Sequence, residues 1–125
     1  MTRRTIASIC FLTLLLAGGA NTGDAREVVG ILLHGRYFSE PATVRVVVDV
    51  EPDASNRTLV IEADSADLFR SSETGLRGAD EKRMHTFVFK NLPAGHYMLR
   101  AEVRSTSEVR GTATREVVVT GIGAR

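Results

Sequence analysis

The stretch Asn91-Leu92-Pro93-Ala94-Gly95-His96-Tyr97-Met98-Leu99-Arg100-Ala101 (NLPAGHYMLRA, residues 91–101) decides how the rest of this chain is read. Its second half alternates. Tyr97, Leu99 and Ala101 fall on one side of an extended chain, and His96, Met98 and Arg100 on the other. Two chemistries compete for it. In a Greek-key β-sandwich, a tyrosine near the start of the sixth strand turns inward and ties its hydroxyl to backbone a few residues upstream. Leu92 would then plug the core, Pro93 stiffen the chain, Gly95 supply a φ > 0 turn and Tyr97 enter the strand pointing inward. Alternatively, His96 and Met98 offer an imidazole and a thioether on one outward face, which are reasonable copper ligands. The corner reading uses more of the phrase, and it is the one adopted.

Outward from this phrase the chain reads as short extended segments between turn residues. Glu27–Phe38 forms a first apolar stretch. In 43–50, Val44, Val46, Val48 and Val50 face one way, and Arg45, Val47 and Asp49 the other. Pro52–Asn56 is a turn cluster. Segments follow at 57–63, at 67–71 as a short edge strand, at 84–90, at 96–104 and at 115–120, with a polar loop at 75–82. Val, Thr, Ile and Phe gather where strands are expected. No crossover helices separate the strands, so a parallel α/β sheet is excluded. The expectation is an all-β, seven-stranded antiparallel sandwich with Greek-key topology, spanning residues 26–125.

Phe87-Val88-Phe89-Lys90-Asn91-Leu92-Pro93-Ala94-Gly95-His96-Tyr97-Met98-Leu99 resembles the F-x-F-x-x-L-P-x-G-x-Y-x-L signature of bacterial immunoglobulin-like modules. These include the carboxypeptidase regulatory-like (prealbumin-like) and fibronectin type III-like domains. Val28-Val29-Gly30 resembles the V-x-G opening of the first group. Gly78–Arg83 stands where that group carries a Thr-Asp-x-x-Gly turn. The resemblance implies an immunoglobulin-like fold and an accessory role, structural, adhesive or ligand-binding, without catalysis.

The N-terminus has the parts of a secretory signal peptide over residues 1–25. Arg3 and Arg4 are followed by the apolar run 6–17 and then by small residues at Gly18-Gly19-Ala20. That run is shorter than the roughly 18–20 residues needed to cross a bilayer, so no membrane span is expected after cleavage. The expected location is the periplasm or the exterior. The single cysteine, Cys10, lies within the leader, so the mature chain has no thiol or disulfide chemistry. Charge is balanced. Cleavage after Ala20 takes two of the 16 basic residues and none of the 15 acidic ones. Nucleic acid is therefore not the expected partner, because phosphate binding needs a net basic footprint.

The remaining chemistries can be weighed by pattern. Besides His96 and Met98, the metal-ligand candidates are His34, Met84 and His85. Met84 and His85 are adjacent and point to opposite faces, so at most one joins any site. There is no nucleophile elbow and no phosphate-binding glycine loop. Asp64/Asp67 and Asp80/Glu81 fall in expected loops and read as solubilising charge. Asn56-Arg57-Thr58 matches a glycosylation acceptor. Arg100, Arg104, Arg110 and Arg115 cluster late in the chain, with Glu102 and Glu116 among them, as in a cross-strand ladder of opposite charges. The expectation is a non-catalytic exported module without a cofactor. It would bind a protein or glycan, or act structurally, at the cell envelope. The alternative is a small periplasmic copper-binding protein using His96 and Met98.

Overall fold

Strict alternation in residues 42–50 makes a strand with one wholly apolar face, and Val44, Val46, Val48 and Val50 are all buried. Each buried valine contributes about 1.5–3 kcal/mol of transfer free energy. The computed structural model describes residues 28–121. The expected leader at 1–25, with Arg3, Arg4 and Cys10, lies outside the described residues. Within them run β1 (Val29–Leu32), β2 (Tyr37–Ser39), β3 (Ala42–Val50), β4 (Thr58–Asp64), β5 (Phe69–Gly75), β6 (Met84–Leu92), β7 (Gly95–Arg104) and β8 (Val109–Thr120). A single 3-10 turn at Gly78–Asp80 is the only helical element among the described residues. No helix there is long and apolar enough to cross a membrane.

The strands form two sheets in the orders β1-β3-β6 and β2-β8-β7-β4-β5. Their facing sides bury Val44, Val46 and Phe89 from one sheet against Leu59, Ile61, Leu99 and Val117 from the other. This is a β-sandwich. Leu92 and Tyr97, at the join between β6 and β7, complete the core at one end. The chain changes sheet here across only Pro93 and Ala94. Tyr97 is 1% exposed, and its hydroxyl donates to the Pro93 carbonyl at 2.7 Å. The Glu40 carboxylate accepts the Ala94 N–H at 2.9 Å from the other side. The left-handed residue of this corner is Asn91 (φ 59), whereas Gly95 opens β7 in extended conformation. Asparagine tolerates that region better than most residues with a side chain, so the turn needs no glycine.

The described residues hold eight strands where seven were expected. The apolar run 27–38 is two strands and not one. β1 sends Val29 and Ile31 into the core from the three-stranded sheet. After the Leu33–Arg36 link, β2 joins the other sheet. Because the chain keeps its direction, β2 meets β8 in parallel, an exception to the expected all-antiparallel pairing. β8 also starts earlier than residue 115 and pairs along β7. Its inward positions there, Gly111 and Ala113, are small because the opposite sheet comes close. A Cβ on Gly111 would lie 2.9 Å from Val28 Cβ. β5 extends to Gly75, so the expected 75–82 loop is shorter. That loop contains Gly78 at φ +70, where a Cβ would also press on the Ala54 carbonyl at 3.2 Å.

Replacing Tyr97 by Phe should cost about 1 kcal/mol in urea-induced unfolding, since one hydroxyl bond is lost and a carbonyl loses its partner. Tyr97→Ala should cost about 3–5 kcal/mol. A Tyr97→Phe protein as stable as the parent would show that the hydroxyl bond adds nothing.

Candidate functional site

β7 turns His96, Met98, Arg100, Glu102 and Arg104 toward the outer face of the five-stranded sheet, opposite Tyr97 and Leu99. Register adds neighbours that sequence distance hides. Met98 lies between Asp64 of β4 and Glu116 of β8, and His96 lies beside Val118, which in turn lies beside Tyr37 of β2. Asp64 pairs with Phe69 at the start of β5. The end of this face therefore carries four large exposed groups. Tyr37 is 69% and Phe69 56% exposed, and Met98 and the His96 side chain are also open to solvent.

Beside His96 and Met98 is a shallow depression of about 280 Å³, lined by Asp64, Ser65, Ala66, His96, Tyr97, Met98 and Glu116. Its rim is held by a short chain of charges. Arg36 Nη2 donates to Glu116 Oε1 at 2.9 Å, and the same guanidinium lies 5.6 Å from the centre of the Tyr37 ring. Glu116 Oε2 is 3.9 Å from His96 Nδ1. Glu116 thus binds the arginine whose guanidinium lies over the Tyr37 ring, and it stands near the exposed imidazole.

Of the metal-ligand candidates, only His96 and Met98 come together. His34 is exposed in the β1–β2 link, and Met84 stands outward on β6 of the other sheet. His85 points inward on β6, with Nε2 3.0 Å from the Lys82 carbonyl. Among the described residues, no three His, Cys, Asp or Glu side chains are grouped to hold a metal ion.

Three of the late arginines are engaged with acids, Arg100 and Arg104 along β7 and Arg110 with Asp53. Glu102, buried on the outer face, lies 3.5 Å from Arg100 and 3.0 Å from Arg104. Arg115 registers with Leu99 and so belongs to the opposite side of the sheet. Arg110 serves a second, smaller depression of about 140 Å³ near the start of β4, with Val28, Glu51 and Asp53. There Arg110 Nη1 donates to Asn56 Oδ1 at 2.6 Å, and Asn56 Nδ2 donates to the Glu51 carbonyl at 3.0 Å. Asn56 is 1% exposed. Its amide is fully committed inside the fold, so it is a polar plug and not an accessible glycosylation acceptor. Asp53 beside it takes the Ser55 backbone N–H and hydroxyl, which hold its carboxyl below the usual range, with a smaller contribution from Arg110. At the 3-10 turn, the Arg77 backbone N–H does the same for Glu81. Both acids serve loop geometry.

Tyr37, Phe69, Arg36 and the acids Asp64 and Glu116 were not singled out by the sequence as site residues. They lie on four different strands and one link, and only the register brings them together. The one available signal was an exposed aromatic in each of two short or polar segments.

No protein-family model matches the chain, and no curated protein matches it. Solved structures do. One is a superoxide reductase (neelaredoxin) from Ignicoccus hospitalis, with TM-score 0.60 and 16% identity, covering 74% of this chain and 80% of that one. Another is a CARDB domain from Pyrococcus furiosus in complex with di-metal ions, with TM-score 0.54 and 17% identity, covering 76% of this chain and 93% of that one. The solution structure of the same domain gives 0.51 and 18%, covering 74% and 93%. This is an immunoglobulin-like β-sandwich. At such identities the likeness speaks for the fold alone. It leaves the choice among immunoglobulin-like families to the residues themselves.

Asn56→Ala should lower stability by about 1–3 kcal/mol, because the Glu51 carbonyl and the Arg110 guanidinium both lose a buried partner. Thermal or denaturant unfolding measures this. A neutral effect would mean that water satisfies both groups.

Proposed function

We propose that this chain is a non-catalytic, exported immunoglobulin-like module that binds a protein or glycan at the cell envelope. The observation that carries this is that Tyr37, Phe69, Met98 and His96 all stand exposed on one face, with a depression lined by His96, Met98 and Glu116 among them and Glu116 tied to Arg36. Single exposed apolar residues need no explanation, but grouped ones rimmed by polar side chains do. Catalysis has less support. Glu116 pairs with Arg36, and the Ser65 hydroxyl in the depression is tied to the Leu68 backbone, as the Ser55 hydroxyl is to Asp53 in its turn. Strand order agrees with a Greek-key arrangement. The 87–99 signature favours kinship with the regulatory-like or fibronectin type III-like modules. Export rests on the leader pattern at 1–25.

Co-sedimentation of the mature chain with isolated cell envelopes tests this reading. The parent and a Leu32→Ala control, altered on the other sheet, should pellet with the envelopes. The double variant Tyr37→Ala/Phe69→Ala should stay in the supernatant. Equal pelleting of all three would remove the face from the account.

A second reading draws on His96, Met98 and Glu116 sharing the depression, and on neighbours that include a metal-bound CARDB domain and a superoxide reductase. In it, the chain is a small periplasmic copper-binding protein, with imidazole and thioether as the ligands. Copper titration followed by native mass spectrometry decides it. One bound ion, lost in His96→Ala, is the expected result, and no bound metal in the parent ends this reading.

A further inference from the structure

Resting on the binding face just proposed, we infer that its ligand is a neutral glycan chain, stacked on Tyr37 and Phe69 and hydrogen-bonded between them. The two rings stand on strands at opposite margins of the five-stranded sheet, β2 and β5. Four strand spacings separate these margins, about 19 Å. The surface between them is shallow, and Met98 forms its centre with Asp64 and Glu116 on either side in one register row.

This layout selects against a protein anchor. Protein hot spots are large side chains fully desolvated in well-packed pockets. Here the depression is open, and its central flanks are carboxylates. A polysaccharide presents the complementary surface. Each pyranose ring has a face of C–H groups that lies flat on an aromatic ring, and a rim of hydroxyls that donate to carboxylates. Asp64, Glu116 and the Ser65 hydroxyl provide acceptors in the middle of the track, and His96 provides a further polar group.

Charge narrows the class. The two central carboxylates repel a uronic or sialic acid. The cations on this face are already paired, Arg36 beside the Tyr37 ring with Glu116 and Arg100 with Glu102. Because the Arg36 pairing orders the Tyr37 platform before any ligand arrives, less freedom is lost on binding.

The test is isothermal titration of the mature chain with tetra-N-acetylchitotetraose, cellotetraose and maltotetraose, with tetragalacturonate and tetralysine as charged comparisons. At least one neutral saccharide should bind saturably. Tyr37→Ala and Phe69→Ala should each weaken it by about tenfold or more, and Met84→Ala, on the other sheet, should leave it unchanged. Matched circular dichroism and melting curves establish that the variants are folded. Three outcomes overturn the inference: no neutral saccharide binds, binding is indifferent to both rings, or tetralysine or tetragalacturonate binds in place of the neutral set. If envelopes are still bound through Tyr37 and Phe69 while every saccharide fails, the glycan assignment falls and the binding face stands.

Discussion

The Tyr97 hydroxyl bond to the Pro93 carbonyl is the constraint from which the rest of this structure follows. The chain must pass from the three-stranded to the five-stranded sheet with two residues between strands. Such a turn leaves backbone groups that neither sheet can satisfy. Tyr97 answers both needs. Its ring fills the gap between sheets, and its polar tip takes up the free carbonyl. Glu40, arriving from the link between β2 and β3, closes the same corner through the Ala94 N–H. With Tyr97 fixed inward, the two-residue period sends His96 and Met98 out. The corner therefore sets the address of the candidate site as well as the end of the core.

What fills that address depends on pairing partners. β7 is flanked by β4 and β8, so each outward residue of β7 acquires one neighbour from each side. For Met98 these are Asp64 and Glu116, 34 and 18 positions away in sequence. Slipping either partner by one residue would turn the carboxylate into the core. The buried set on β4 and β8, Leu59, Ile61, Val117 and Val119, forbids that slip. Core packing thus fixes the chemistry of the outer surface without touching it.

The same logic explains which features could be read from sequence. Val44 to Val50 and Tyr97 to Val103 alternate between apolar and other residues, and both strands lay where alternation placed them. β5 and β2 carry no such signal. Phe69–Gly75 is an edge strand exposed on most of its length, so nothing demands apolar residues at every second position. It is also protected by an inward charge, Arg70, which reaches across to the Lys90 carbonyl at 2.8 Å. β2 was hidden for the opposite reason. Its residues continue an apolar run begun in β1, and a change of sheet within a run leaves the periodicity looking like one strand. The early half of β8 was concealed by Gly111 and Ala113, which are small because Val28 crowds them. The site aromatics Tyr37 and Phe69 lie on the two strands least visible to pattern, so the site was harder to read than the fold.

Charge layout along β7 explains why only one end of the outer face is available. Arg104, Glu102 and Arg100 occupy three successive outward positions, and the central acid is buried beneath its two neighbours. This trio satisfies itself. Opening it to admit a ligand would expose the buried Glu102 carboxylate without compensation, a cost far above that of separating a surface ion pair. Two residues further toward the corner the pattern changes to Met98 and His96, with no charge trapped beneath them. A ligand laid on that end would leave the Arg100–Glu102–Arg104 trio closed. The outer face is therefore divided by its own electrostatics into a closed half and an open half, and the open half is the one that carries the rings.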